Sequence, residues 1–229
     1  MSKSVILIPS RLSATRLPGK PLLKINGVSI ISHVVQKAKE ADIGEVYVAT
    51  EDKEILDDVQ LNGGKAILTS NKHKTGSDRI YECYERLDLK NIEYIVNLQG
   101  DEPNIDINDL RHLKNLILAN KTEIGTLAAK IEDQSKINDE NIVKVITDKK
   151  ITNVNFTTAI DFKRKLKDLN LNIYHHIGIY AYKPEILKKL IKLKQTDNEI
   201  KNRLEQLRAM ENGIKINVGL AKFCPIGVD

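Results

Sequence analysis

Cysteine is scarce. The 229-residue chain carries two, Cys83 and Cys224, and their distant placement matches no metal-ligand or redox spacing. That excludes a disulfide framework and predicts reduced thiols in a cytoplasmic protein. Long apolar runs are missing as well: the stretch from Val5 to Pro9 is far too short for a signal-peptide core or a membrane span, so no membrane partner is expected. No internal repeat, low-complexity tract or Pro/Gly/Ser linker interrupts the chain, which predicts one domain over residues 1–229. Charge of one sign is only mildly in excess, 36 Lys and Arg against 31 Asp and Glu, a formal +5. Much of it falls in runs such as Lys188, Lys189, Lys192 and Lys194, the pattern of a solvated helix face. A nucleic-acid footprint needs a denser stripe, so nucleic acid is not an expected partner.

What is present is the patterning of a folded α/β protein, with 41% hydrophobic and 29% charged residues. Short β-branched runs alternate with segments of helical period, as in parallel strands joined by crossover helices. Strands are predicted at Val5 to Ile8, Glu45 to Thr50, Lys65 to Leu68 and Tyr94 to Leu98. Helices are predicted at Ile30 to Ala41, Lys53 to Asn62 and Ser77 to Arg86. Beyond residue 120 the order is mixed, with strands at Gly125 to Ile131, Val143 to Thr147 and Ile177 to Tyr182, and helices at Pro184 to Leu193 and Glu199 to Glu211. Ligands of open parallel sheets bind where strands end, so the loop after the first strand and Asp101 should face one pocket.

That loop, Pro9-Ser10-Arg11-Leu12-Ser13-Ala14-Thr15-Arg16-Leu17-Pro18-Gly19-Lys20-Pro21, gathers Arg11, Arg16 and Lys20 with hydroxyls and a glycine. Arg forks, a Lys point charge and turned backbone amides are what a triphosphate requires, although the Walker spacing is absent. Asn97-Leu98-Gln99-Gly100-Asp101-Glu102-Pro103 ends a buried strand in a carboxylate suited to Mg²⁺ beside phosphates, or is an ordinary strand exit. Thr75-Gly76-Ser77-Asp78-Arg79 is either an anion site at a helix start or a plain N-cap. Strict alternation places His176, Gly178, Tyr180 and Tyr182 on one strand face, where a core histidine is the first expectation. Glu205-Gln206 carries no signal of its own.

Taken in order, these segments resemble the 3-deoxy-manno-octulosonate cytidylyltransferases, also called CMP-Kdo synthetases. The likeness rests on P-[AS]-R-x-x-S-x-R-L-P-G-K-P-L at Pro9 to Leu22, then His73, Gly76 and Arg79, then N-L-Q-G-D-E-P at Asn97 to Pro103. Val143-Lys144-Val145, His176 to Tyr182, Leu204 to Arg208 and Gly227-Val228-Asp229 follow. The resemblance implies a nucleotide-diphospho-sugar transferase fold, Rossmann-like, with a mostly parallel sheet flanked by helices and a mixed second half. It also implies a homodimer that joins CTP to an acid sugar with Mg²⁺ as cofactor. Arg11, Ser13, Arg16, Lys20, Gly76, Ser77, Arg79 and Gln99 would surround CTP, with Lys20, Arg11 and Asp101 acting in catalysis. Asp101 and Asp229 would hold the metal, and His176, Tyr180, Glu205 and Gln206 would meet the sugar. The chain departs from the family at Phe156-Thr157-Thr158, where an F-S-R segment is usual, at Asn202 in place of glutamate, and at Ser10 in place of alanine. It stops at Asp229, where relatives continue. Lys163 or Arg164 is the nearby cation that would replace the missing arginine, and an amino-Kdo, a sialic-acid-like sugar or a non-catalytic nucleotide-binding role are the alternatives.

Overall fold

The computed structural model describes residues 4–13, 17–133, 135–166 and 172–222, so Arg16 and Asp229 lie outside the described residues. The chain divides into two compact units, one running to Arg111 and the other beginning at His112.

In the first unit, β1 (Ser4–Ser10) leads through a 3₁₀ turn at Lys20–Leu22 and the small hairpin β2 (Lys24–Ile25) and β3 (Val28–Ser29) into α1 (Ile30–Glu40). Next come β4 (Glu45–Thr50), α2 (Lys53–Leu61), β5 (Ala66–Leu68), α3 (Gly76–Leu87), β6 (Tyr94–Asn97) and α4 (Ile107–Asn120), the last crossing the unit boundary. The strands lie in the order β5-β4-β1-β6, with each neighbouring pair parallel. Val5, Ile6, Leu7 and Ile8 are wholly buried, which is why β1 reads as a continuous apolar run: a parallel strand covered on both faces has no solvent side to alternate toward. The Ser29 hydroxyl caps α1 by accepting from the Ser32 amide at 3.2 Å, and Ile30, Ile31, Val34, Val35 and Ala38 form its buried face. Gly44, just before β4, has no alternative, because a Cβ there would fall 2.0 Å from the Ser4 carbonyl oxygen. Cys83 is buried in α3, and desolvation pushes its thiol up to about 12.

The chain moves outward from β1 to β4 and β5, then returns to place β6 on the other side of β1. The strand order therefore reverses between β1 and β6, and a reversal of this kind opens a crevice at the strands' carboxyl ends.

The second unit contains β7 (Ile124–Ala129), the short α5 (Ser135–Asn138), β8 (Lys144–Thr147), β9 (Thr157–Lys163), β10 (Asn172–Tyr182), α6 (Pro184–Lys192), α7 (Asp197–Asn202), α8 (Gln206–Glu211) and β11 (Ile216–Leu220). Its strands follow the order β10-β7-β11-β9-β8, and β8 pairs again with β10, so the pairings run in a closed circuit. Only β11 with β7 is parallel; the others are antiparallel, the mixed arrangement expected for this half. α4 covers β7 and β11 tightly: a Cβ on Gly125 would meet Ile117 at 2.6 Å and one on Gly219 would meet Leu116 at 2.4 Å.

Two expectations need correction. The predicted helix from Glu199 to Glu211 is two helices, α7 and α8, broken where Arg203 takes a left-handed φ of 53°. In one straight helix Glu199 and Arg208 would stand about 13 Å apart along the axis. The break folds α8 back so that they pair at 2.5 and 2.9 Å. The second correction concerns the alternation along β10. Ile177 pairs with Leu127 but Tyr180 with Thr126, so Gly178 and Ile179 form a bulge. Two extra residues preserve parity, and His176, Tyr180 and Tyr182 still stack in sequence, with ring centroids 5.3 and 5.7 Å apart; Gly178 lies within the bulge, outside that row.

Candidate active site

A cavity of about 300 Å³ opens where the strand order reverses. The carboxyl end of β1 contributes Ser10 and Arg11, the 3₁₀ turn contributes Lys20, and the exit from β6 contributes Gln99, Gly100 and Asp101. Lys74, Thr75 and Gly76 complete it at the start of α3. Gly76 and Gly100 keep this floor thin, since Cβ atoms there would meet Pro9 at 3.3 and 3.0 Å respectively. Thr75 forms a full capping box with Asp78, so the N-cap reading of this motif holds, and the helix presents its positive end to the cavity.

The charged groups are held before any ligand arrives. Lys20 is 8% exposed and its ammonium lies 2.9 Å from Asp101, whose carboxylate is 46% exposed at the rim. Glu102, beside it, is half-buried, and desolvation raises its carboxyl to about 7. The basic loop is closed by a bond from the Gly19 amide to the Leu12 carbonyl at 3.1 Å. It is tethered to the junction between β4 and α2 where the Leu12 amide donates to Asp52 at 2.7 Å. Gly19, at φ 73°, makes the left-handed turn that brings Lys20 inward.

Arg79 lines the same cavity, but its guanidinium is committed to Glu51 and to the Thr69 hydroxyl at 2.7 Å. It is a wall braced from behind. Ser13 is exposed and Ser77 buried, and neither lines the cavity. Glu51, Asp52 and Thr69 escaped the sequence reading. Their signal was position, since Glu51 and Asp52 directly follow β4, the parallel neighbour of β1.

In the second unit the structure brings together all four residues assigned to the sugar. Tyr180, Glu205 and Gln206 converge on a space of about 10 Å³, which admits a water but no sugar, so a ligand would lie against this cluster and not inside it. Glu205 is 30% exposed, while burial, with Tyr182 and Glu205 nearby, holds the Tyr180 phenol well above its ordinary pKa. The His176 ring packs edge-on to Phe162 at 5.0 Å, and burial pulls it down to about 3, so it is neutral near pH 7.

The segment lacking the family arginine is occupied differently. The Thr157 hydroxyl and the Thr158 amide both donate to Asp148, the latter at 3.0 Å, and these bonds hold Asp148 below the usual carboxylate range. Neither proposed substitute cation turns to this point: Lys163 pairs with Asp161 at 2.7 Å, and Arg164 donates to the carbonyls of Glu140, Asn141 and Asn202.

The chain matches the cytidylyltransferase family over residues 5–216. It is 43% identical to 3-deoxy-manno-octulosonate cytidylyltransferase of Thermodesulfovibrio yellowstonii, covering 99% of this chain and 93% of that protein. To the protein of the same name from Rhodopseudomonas palustris it is 40% identical, covering 100% and 93%. The solved structure of CMP:2-keto-3-deoxy-manno-octonic acid synthetase complexed with CTP superposes with a TM-score of 0.89 at 34% identity, over 100% of this chain and 93% of that one. A 4-diphosphocytidyl-2C-methyl-D-erythritol synthase from Anaerococcus prevotii, 15% identical with a TM-score of 0.60 over 98% and 91%, shares the fold. With a nucleotide-sized cavity at the sheet's switch point and this likeness along its whole length, the chain belongs to the 3-deoxy-manno-octulosonate cytidylyltransferases.

Proposed function

We propose that this protein transfers the cytidylyl group of CTP to 3-deoxy-manno-octulosonate (Kdo), giving CMP-Kdo and pyrophosphate for lipopolysaccharide or capsule synthesis, as a cytoplasmic homodimer. The observation that carries the reading is the cavity in which Arg11, Lys20 and Lys74 meet the Asp101 carboxylate beside a helix start, in a chain related throughout to enzymes of this activity. The anomeric hydroxyl oxygen attacks the α-phosphorus, the bond from that phosphorus to the bridging oxygen breaks, and the hydroxyl proton passes to solvent. Negative charge grows on the departing pyrophosphate, where Lys20 and Arg11 oppose it, with Arg16 assigned the same task. Little covalent work falls to the protein, so placement and fixed charge supply the acceleration.

Gln99, Gly76, Ser77, Arg79 and Ser13 are assigned to the nucleotide, and His176, Tyr180, Glu205 and Gln206 to the acid sugar. Magnesium fits the donor set. The ion keeps few protein ligands beside substrate phosphates. Asp101 is a half-exposed carboxylate at the cavity rim, and among the described residues no cluster of three or more His, Cys, Asp or Glu would cage an ion by itself. Asp101 would hold it together with Asp229, and the ion's chemistry is neutralisation of the phosphate oxygens.

Purified protein with CTP, Mg²⁺ and Kdo is expected to release pyrophosphate, with higher kcat/KM for Kdo than for 8-amino-Kdo or a sialic acid. Kdo is the sugar for which the related enzymes are named. CTP binding without pyrophosphate release from any acid sugar would overturn the assignment in favour of a nucleotide-binding relative.

The Asp52 tether leads to a second expectation. Asp52→Ala frees the Leu12 amide and loosens the basic loop without touching a phosphate-binding group, so KM for CTP should rise about three- to tenfold, the net worth of one ordinary hydrogen bond. Steady-state kinetics at saturating sugar measure this, and kcat should change less than KM.

A further inference from the structure

The β10 bulge places one hydroxyl among three possible partners. Thr126 is wholly buried, and its Oγ1 lies 2.6 Å from the Ile179 carbonyl oxygen, 3.2 Å from that of Ile177 and 3.1 Å from His176 Nε2. A hydroxyl has one proton to give. Two oxygens at 2.6 Å with no proton between them repel, and Gly178 and Ile179 lack partners in the β7 register, so the proton belongs to the Ile179 carbonyl. Thr126 can then only accept from His176, which requires the imidazole proton to sit on Nε2. Because the ring is neutral at working pH, Nδ1 is left as a lone-pair acceptor, and among the described residues it takes no hydrogen bond.

We infer that Thr126 is a positioning residue for sugar recognition: it fixes His176 in the Nε2-protonated tautomer, so that the ring offers the acid sugar an acceptor, through Nδ1, for one of its hydroxyls. The inference rests on the proposed assignment of His176 to the sugar, but its first half concerns the free protein alone. A second-layer bond that sets a tautomer is a recurrent device wherever histidine must present one chosen nitrogen. It also accounts for the bulge, which turns the carbonyls of Ile177 and Ile179 toward a single threonine.

The test has a spectroscopic arm and a kinetic arm. In protein labelled with ¹⁵N-histidine, the His176 signal, identified among the five histidines by its loss in His176→Gln, should show protonated Nε2 and unprotonated Nδ1. Thr126→Val should abolish that preference and raise KM for Kdo about tenfold, the loss of one oriented hydrogen bond, with KM for CTP unchanged. Thr126→Ser, which restores the hydroxyl, should recover both properties. A wild-type His176 protonated on Nδ1 overturns the tautomer assignment whatever the kinetics. A wild-type tautomer as expected, with Thr126→Val losing it while KM for Kdo stays unchanged, overturns the link to sugar recognition. If no acid sugar is turned over at all, the kinetic arm fails together with the proposed function, and the labelled wild-type and Thr126→Val spectra still decide whether Thr126 sets the tautomer. The wild-type spectrum also serves if Thr126→Val does not fold.

Discussion

Lys20→Ala is expected to lower kcat by two to four orders of magnitude while leaving the protein folded. Lys20 is a buried cation of the cavity, and a preorganised charge aimed at growing negative charge is worth about 10²–10³ in rate when a single donor is removed. A full unit charge in a partly desolvated site extends that toward the upper figure. The stability cost should be small for a reason visible in the pair itself. Its partner Asp101 is 46% exposed, so water solvates the orphaned carboxylate, and half-exposed ion pairs contribute about 1 kcal/mol or less. Lys20→Arg should recover only part of the rate, because a bulkier planar fork does not replace a compact point charge reached through the tight Gly19 turn. Single-turnover pyrophosphate release alongside thermal melts separates the two effects. An unchanged kcat in Lys20→Ala would remove this residue from the mechanism.

The largest effect on stability is expected at Glu199. Its carboxylate and the Arg208 guanidinium are 4% and 2% exposed and are joined by two bonds, 2.9 and 2.5 Å. Glu199 also accepts from the Thr196 amide at 3.2 Å to close the α7 capping box. Glu199→Ala takes from a buried guanidinium the carboxylate that binds it through two hydrogen bonds and leaves Glu205 4.0 Å away; breaking a buried pair in this way costs about 3–5 kcal/mol. In a chain of this size that corresponds to a fall in Tm of about 10 °C. Replacing both members, as in Glu199→Leu with Arg208→Met, should recover most of the loss, because the penalty arises from the uncompensated charge. Burial pushes the Glu199 carboxyl up, but the bonds from Arg208, Gln195 and Thr196 outweigh it and hold the group below the usual range. Its contribution is therefore complete above the unfolded carboxylate pKa of about 4.3 and is lost as pH falls through the lower folded value. A Glu199→Ala protein melting within about 1 °C of the parent would refute this account.

Much of the first unit was legible because each element carried its own signal. The β1 apolar run, the helical spacing of α1 and the exit from β6 at Gly100-Asp101 depend only on neighbours in sequence, and the strand-end rule then placed Arg11, Lys20 and Asp101 in one cavity. The losses came where distant partners decide. Whether Glu199 to Glu211 stays straight is settled by a pair nine residues apart that only a bend allows. β11 went unpredicted because it is held by strands far away in sequence, and β9, which pairs with the nearby β8, was not assigned. α4 was legible in its Leu110, Leu113, Leu116 and Ile117 spacing but was not assigned. At the site, residue types that attract phosphate stood out, while Asp52, Glu51 and Thr126 did not. They touch no ligand and act by holding a loop, a guanidinium or an imidazole, and a brace of that kind is visible only once the braced group has a position.

The two-residue bulge in β10 has a consequence for how this chain can change length. Facing sides alternate with each step along a regular strand, so deleting Gly178 and Ile179 together would close the bulge with Tyr180 and Tyr182 on their present side, while deleting Gly178 alone would keep them there only through a remaining one-residue bulge. Shortening this point by two residues therefore leaves a regular ladder with the same facing sides, whereas shortening it by one keeps those sides only where a single-residue bulge remains.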